Sequence, residues 1–208
     1  MPIAFEMPAG APPTIPVVVI EDAAKAPDLA AALLAGGVRA IEVTLRSAAA
    51  LAAIEAIART TPDILLGVGT VLSPDDIDRS IGAGAQFLVS PGATPTLLDA
   101  AAGVDVAFLP GAATASEAMR LRERGYRRLK FFPADASGGV TALKGLAGPL
   151  ADLEFCPTGG VGAANAMDYL ALKSVFAVGG SWLAPSDAIA CGDWTRIEGL
   201  ARDAAKLA

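Results

Sequence analysis

The chain repeats one pattern of hydrophobic and polar positions. A short apolar run ends in small or polar residues, and an alanine-rich segment with helical spacing follows. The apolar runs are PVVVI (16–20), AIEVTL (40–45), ILLGVGT (64–70), QFLVS (86–90), VAFLP (106–110), RLKFF (128–132), LEFCPT (153–158) and SVFAVGG (174–180). Between them lie segments such as DLAAALLAGG (28–37), SAAALAAIEAIART (47–60), SPDDIDRSIGAG (73–84) and TASEAMRLRERG (114–125). Several open on Ser, Thr or Asp and close on Gly, as helices do. Strands alternating with helices predict βα units and a parallel sheet. Eight such units predict an α/β chain folded as a (β/α)8 TIM barrel, a fold that typically takes about 250 residues. Short helices fit it into 208. A doubly wound open sheet is the second reading. Nothing marks an internal boundary, so a single domain is expected over 1–208, with 1–14 as a lead-in and 193–208 as a terminal helix.

In a barrel, strand side chains alternate between the interior and the helix layer. In the second run, Ile41, Val43 and Leu45 form one face and suit the helices. Glu42, Thr44 and Arg46 form the other and point inward or to the mouth at the strand's C-terminal end. In the sixth run, Leu129 and Phe131 face the helices, while Lys130 and Phe132 face inward. Second and sixth strands lie across an eight-strand ring from each other. Glu42 and Lys130 are therefore expected to share one confined interior. Lysine is among the residues least often fully buried, and an unpaired buried ammonium is costly.

Composition narrows the chemistry. Apolar residues make up 53% of the chain and charged residues 18%, which is globular rather than disordered. There is no histidine, which excludes Ser-His-Asp triads, histidine general bases and histidine metal sites. Proton transfer then falls to Glu, Asp, Lys, Tyr, Cys or water. Cys156 and Cys191 do not make a disulfide framework in a chain of this length. The net charge of −6 argues against a nucleic-acid partner and means that an anionic substrate must be held by local groups. No apolar stretch approaches the roughly 20 residues of a membrane-spanning helix, so no membrane partner is expected. MPIAFEMPAGAPPTIP lacks the basic region of a signal peptide, and a cytoplasmic location is expected.

Lys130 has two readings: a structural ion pair with Glu42, or a Schiff-base lysine. A free lysine with a pKa near ~10.4 is neutral in only about one molecule in 2,500 at pH 7, and desolvation exposes the nucleophilic amine. Lys25, Lys144, Lys173 and Lys206 all fall in helix-like segments and suit a solvated surface, which leaves Lys130 as the amine nucleophile. Glu42 is the one acidic residue at a mid-strand, inward position. Glu154 and Asp105 lie near strand starts, the end associated with stability, and Glu21 and Asp22 follow the first strand. Arg46 suits a two-pronged contact with a carboxylate, or a surface place at a helix start. Two glycine clusters, PTGGVG (157–162) and VGGSW (178–182), follow the seventh and eighth runs. Loops at those positions often hold phosphate through backbone N–H groups, although Gly-Gly also simply makes turns. GVGT (67–70) and SPG (90–92) are further turns at the same mouth, and Thr70 offers a hydroxyl or an N-cap there. Cys156 reads as a buried small residue, and no cluster reads as a metal site.

IEVTLR (41–46), GVGT (67–70), SPG (90–92), KFFPA (130–134), FCPTGG (155–160) and GGSW (179–182) occur in an order and spacing that resembles the 2-keto-3-deoxy-6-phosphogluconate (KDPG) and 4-hydroxy-2-oxoglutarate aldolases. The resemblance covers nearly everything after about residue 14. It implies a (β/α)8 barrel, a homotrimer, and a metal-independent aldolase without cofactor. By this resemblance Lys130 forms the iminium with the pyruvate portion of a phosphorylated 2-keto acid, and Glu42 is the general acid–base. Arg46 and Thr70 hold the pyruvate carboxylate, Pro91 and Phe132 form pocket wall, and Thr158 lies beside the substrate chain. Gly159, Gly160, Gly180 and Ser181 cradle the phosphate. The implied reaction cleaves KDPG to pyruvate and D-glyceraldehyde 3-phosphate, with 4-hydroxy-2-oxoglutarate as a side substrate. A main substrate of another kind, 4-hydroxy-2-oxoglutarate itself or the galactonate epimer, is the alternative. A non-catalytic sugar-phosphate binding barrel, with Lys130–Glu42 as an ion pair only, is the more distant one. Val68 stands where the family often has alanine, and Ile20–Glu21 where some members carry arginine.

Overall fold

The computed structural model describes residues 2–207. Its strands are β1 (Thr14–Val18), β2 (Ala40–Thr44), β3 (Leu65–Gly69), β4 (Phe87–Val89), β5 (Ala107–Leu109), β6 (Gly111–Ala112), β7 (Arg128–Phe131), β8 (Glu154–Pro157) and β9 (Val178–Gly180). The helices between them are α1 (Ala26–Ala35), α2 (Ala50–Thr60), α3 (Pro74–Gly82), α4 (Pro95–Ala101), α5 (Ala115–Glu123), α6 (Gly139–Ala147) and α7 (Ala166–Leu170). α8 (Ser186–Cys191) and α9 (Trp194–Ala204) follow the last strand. Every pairing is parallel, in a six-stranded sheet of order β5-β4-β3-β2-β1-β9 and a three-stranded sheet of order β6-β7-β8. Isolated parallel bridges tie Phe155 to Val175 and Thr158 to Gly179 on the side of β8 toward β9. Among the described residues no helix is long and apolar enough to cross a membrane.

The helix starts follow the polar signals. Ser73 accepts from Asp76 N while the Asp76 carboxylate accepts from Ser73 N, a capping box that opens α3 with Pro74 in its first turn. Thr114 and Glu117 do the same for α5, and the contacts to backbone N–H groups hold the Glu117 carboxyl below its usual range. The fifth apolar run differs from expectation, because it divides into β5 and β6 at Pro110. Proline has no N–H to give a ladder, but its carbonyl still accepts from Lys130 N at 2.9 Å. The run thus pairs with β4 through its first half and with β7 through its second.

Side chains separate into two layers as the alternation predicts. Ile41, Val43, Leu66, Val68, Leu88, Leu129, Phe131 and Phe155 pack outward with the helices. Ile15, Ala40, Phe87, Val89, Leu109, Cys156 and Ala177 form an inner cluster drawn from both sheets. Inner positions are often glycine because a neighbouring strand fills the space. A Cβ on Gly67 would overlap the Phe87 ring, and one on Gly179 would overlap Thr158 Oγ1. Phe5, within the expected lead-in, is part of this interior. Phe5 is 2% exposed, its ring lies 4.7 Å from Phe87 and 5.8 Å from Phe176, and its carbonyl accepts from Arg128 at 2.7 Å. Arg128 also holds Glu154 at 2.8 Å and reaches Glu6.

Removing a fully buried aromatic costs about 3–5 kcal/mol. Phe5→Ala is therefore expected to lower the free energy of unfolding in urea by about that amount. A loss below about 1 kcal/mol would mean that the segment only drapes over the surface.

Candidate active site

β2 and β7 belong to different sheets, and their inward side chains meet. Lys130 Nζ donates to Glu42 Oε1 at 3.0 Å. Lys130 is 5% exposed and Glu42 4%, so this is a buried pair rather than a surface one. The ammonium also lies 5.4 Å from the centroid of the Phe132 ring, within cation–π reach. Register places Gly111 and Cys156 beside Lys130 on the flanking strands. Burial pushes the Cys156 thiol up to about 12, the Lys130 charge pulling it down and Glu42 pushing it further up. The thiol beside the lysine therefore stays neutral across the physiological range.

Glu42 is seated by β3. The carboxylate occupies the space over Gly69, where any Cβ would overlap it. The chain turns immediately afterwards at Thr70, which has φ +62°. A threonine in the left-handed region is strained by about 1–3 kcal/mol, and such residues cluster at functional sites. Thr44, two residues beyond Glu42, is 2% exposed and donates to Val18 O at 2.9 Å, tying the end of β2 to β1. Its hydroxyl also accepts from Arg46 Nε at 3.2 Å. Arg46 is exposed and lines a cleft of about 430 Å³ together with Val17, Ser181, Trp182 and Asp187. The structure thus brings Arg46 and Ser181 to one cleft and places the arginine on Thr44 rather than on the buried pair.

The remaining candidates lie at the same strand ends. The Pro91 carbonyl covers Gly111, the register partner of Lys130. Gly159 and Gly160 have φ +93° and +78°, conformations that side chains rarely adopt. A Cβ on Gly159 would lie 3.3 Å from the Phe132 ring, and one on Gly160 would overlap Asp135. Thr158 is 5% exposed and its hydroxyl fills the space over Gly179. Gly180 is covered by the Trp182 ring, while Ser181 is exposed. Of the other lysines, Lys144, Lys173 and Lys206 are exposed, Lys173 in a turn rather than a helix, and Lys25 donates to Ala190 O. Three residues carry more here than their sequence signals suggested: Thr44, Gly69 and Trp182. Gly69 and Trp182 fall inside the GVGT and GGSW motifs, and Thr44 inside IEVTLR.

Parallel strands that deliver a buried lysine–glutamate pair to one end of the fold are the framework of a lysine-dependent aldolase. The family model described as "Aldolase: KDPG and KHG aldolase" matches residues 9–200. The KHG/KDPG aldolase of Escherichia coli K12 is 50% identical over 192 residues, covering 92% of this chain and 90% of that protein. A KDPG aldolase from Legionella pneumophila, with pyruvate captured at low pH as a covalent carbinolamine intermediate, superposes with a TM-score of 0.91. It is 43% identical and covers 94% of this chain and 95% of its own. The KDPG aldolase of Zymomonas mobilis ZM4 with 3-phosphoglycerate gives 0.89 at 42% identity, with 95% and 92% covered. The chain belongs to the KDPG and KHG aldolase family.

The two thiols should separate cleanly. Cys191 is exposed and Cys156 is buried with its acidity suppressed. At pH 8 a thiol of pKa about 12 is ionised in only about one molecule in 10,000. Ellman's reagent is expected to titrate one thiol in the native protein and two in denaturant. Two rapid native equivalents would show that the floor beside Lys130 is open to water.

Proposed function

We propose that this protein is a Schiff-base aldolase that cleaves 2-keto-3-deoxy-6-phosphogluconate to pyruvate and D-glyceraldehyde 3-phosphate, and acts on 4-hydroxy-2-oxoglutarate as a side substrate. The observation that carries this reading is the buried 3.0 Å contact between Lys130 Nζ and Glu42 Oε1. Glu42 takes the ammonium proton across that hydrogen bond, and the free amine attacks C2 of the keto acid. Protonated Glu42 then supplies a proton to the carbinolamine hydroxyl, which leaves as water and gives the iminium. The C4 hydroxyl loses its proton to the carboxylate, the C3–C4 electron pair moves into the iminium, and the aldehyde departs. The resulting enamine is protonated at C3, and water attacks C2 to release pyruvate and the free lysine. One carboxylate serves every step by alternating between acid and base.

Arg46, with Thr70, holds the substrate carboxylate in this reading, which is supported by Arg46 following the C-terminal end of β2, the strand that carries Glu42. Pro91 and Phe132 wall the pocket, and Thr158 lies along the substrate chain. The left-handed glycines 159 and 160, with Gly180, offer backbone N–H groups to the phosphate, and Ser181 adds its exposed side-chain hydroxyl. The two sheets close in one domain as a (β/α)8 barrel, a reading supported by the Thr158–Gly179 bridge and by β5 and β6 forming one run. The family resemblance extends the reading to a cytoplasmic homotrimer.

Borohydride added with pyruvate is expected to trap a reduced adduct on the peptide that contains Lys130. No adduct, or an adduct on another lysine, refutes the mechanism. Glu42→Gln is expected to lower kcat by about 10²–10⁴-fold with little change in KM, as loss of a general acid–base does.

A further inference from the structure

Gly180 and its neighbours show how the two glycine-rich loops are joined. Gly159 and Gly160 lack side chains because their backbone is left-handed. Gly180 is not among the left-handed glycines of the chain, so its missing side chain answers a need for space. That space is taken from two sides. The Trp182 ring covers Gly180, and the Val161 carbonyl lies 2.8 Å from where a Cβ would be. Val161 belongs to the loop that follows β8, and Trp182 to the loop that follows β9. Gly180 is thus where the Trp182 ring of the second loop and the Val161 carbonyl of the first converge, one residue beyond the point where Thr158 covers Gly179. Trp182 also packs against the outer core and lines the cleft that holds Arg46 and Ser181.

We propose that Trp182 is a positioning residue for selectivity toward phosphorylated substrate, clamping the two glycine-rich loops into one rigid cradle. The inference rests on the reading that these loops hold the phosphate. Backbone N–H groups bind an anion well only when they are already aimed at it, because loose loops must be ordered at the expense of affinity. The glycines that let the chain approach the anion also make both loops soft. An indole ring fixed between the loops and the core removes that softness without adding charge. The reacting carbons lie at Lys130, on another part of the mouth, so the clamp acts on binding of the phosphate end and leaves bond cleavage alone.

The test compares Trp182→Ala, Trp182→Phe and Ser181→Ala on KDPG and on 4-hydroxy-2-oxoglutarate, which has no phosphate. Trp182→Ala is expected to raise KM for KDPG about tenfold, with kcat within about twofold and the unphosphorylated substrate unaffected. Trp182→Phe should restore most of the loss. Equal damage to both substrates would make Trp182 a general packing residue and overturn the inference. If Ser181→Ala raises KM for KDPG while Trp182→Ala does not, the inference fails and the phosphate site stands. If neither variant changes the ratio between substrates, the phosphate site itself is misplaced and the inference falls with it. A second measurement needs no change at the clamp. In Trp194→Phe, Trp182 is the only tryptophan, and inorganic phosphate should change its emission saturably where chloride at equal ionic strength does not. Emission indifferent to phosphate overturns the proposal.

Discussion

A lysine and a glutamate 3.0 Å apart, each about 5% exposed or less, are tolerable only because each supplies the other's counter-charge. Taking either ion alone into this interior would cost several kcal/mol, and removing one partner strands the other. The pair is therefore weak evidence for stability and strong evidence for purpose. An apolar pair of equal volume would pack as well without the desolvation penalty. What the ionic pair supplies under the proposed mechanism is an amine and a proton acceptor already in contact, beside a thiol whose own ionisation is suppressed. That neutral neighbour matters, because a thiolate there would be a competing nucleophile.

Much of the surrounding structure can be understood as making room for this pair and keeping it dry. β3 gives up a side chain at Gly69 so that the Glu42 carboxylate can lie over it, and the next residue accepts a left-handed backbone. β6 gives up a side chain at Gly111 beneath the Pro91 carbonyl, beside Lys130. Lower in the interior the same device is used for packing, with the Phe87 ring filling the space at Gly67. Phe5 then stacks on Phe87 and is held by Arg128, which lies two residues before Lys130 on β7. A strand whose inner face carries both the floor clamp and the amine links the closure of the interior to its chemistry.

Period-two alternation made most of this legible. It assigned Ile41 and Val43 to one layer and Glu42 to the other, and it did the same for Leu129 and Phe131 against Lys130. The absence of histidine leaves the glutamate as the proton carrier of the proposed mechanism. Other features were not legible, for identifiable reasons. A proline-rich segment has no periodicity, so nothing in MPIAFEMPAG marks Phe5 as buried; its partners Phe87 and Phe176 are remote in sequence. The division of the fifth run at Pro110 depends on which neighbour each half pairs with, which one chain segment does not encode. Arg46 was expected to point inward or to the mouth, and it lies exposed at the mouth because β2 ends at Thr44, whose hydroxyl takes its Nε.

Under the proposed function, an acidic chain must attract a phosphorylated anion locally. Cationic side chains are the usual means, yet the loops after β8 and β9 carry none between residues 157 and 165 or 178 and 190. In the proposed reading, backbone dipoles do the same work with no free charge to repel or recruit other ions, but only while their directions are fixed. Fixing them falls to neighbouring side chains: Thr158 over Gly179 and Trp182 over Gly180. The division of labour follows from the topology. The amine and carboxylate sit on β7 and β2, and the proposed cradle on the loops after β8 and β9. Under the proposed mechanism, binding of the distal phosphate and cleavage of the C3–C4 bond are handled by separate elements. The loops can therefore be altered to accept a shorter, unphosphorylated keto acid without moving the lysine or the glutamate that cleave it.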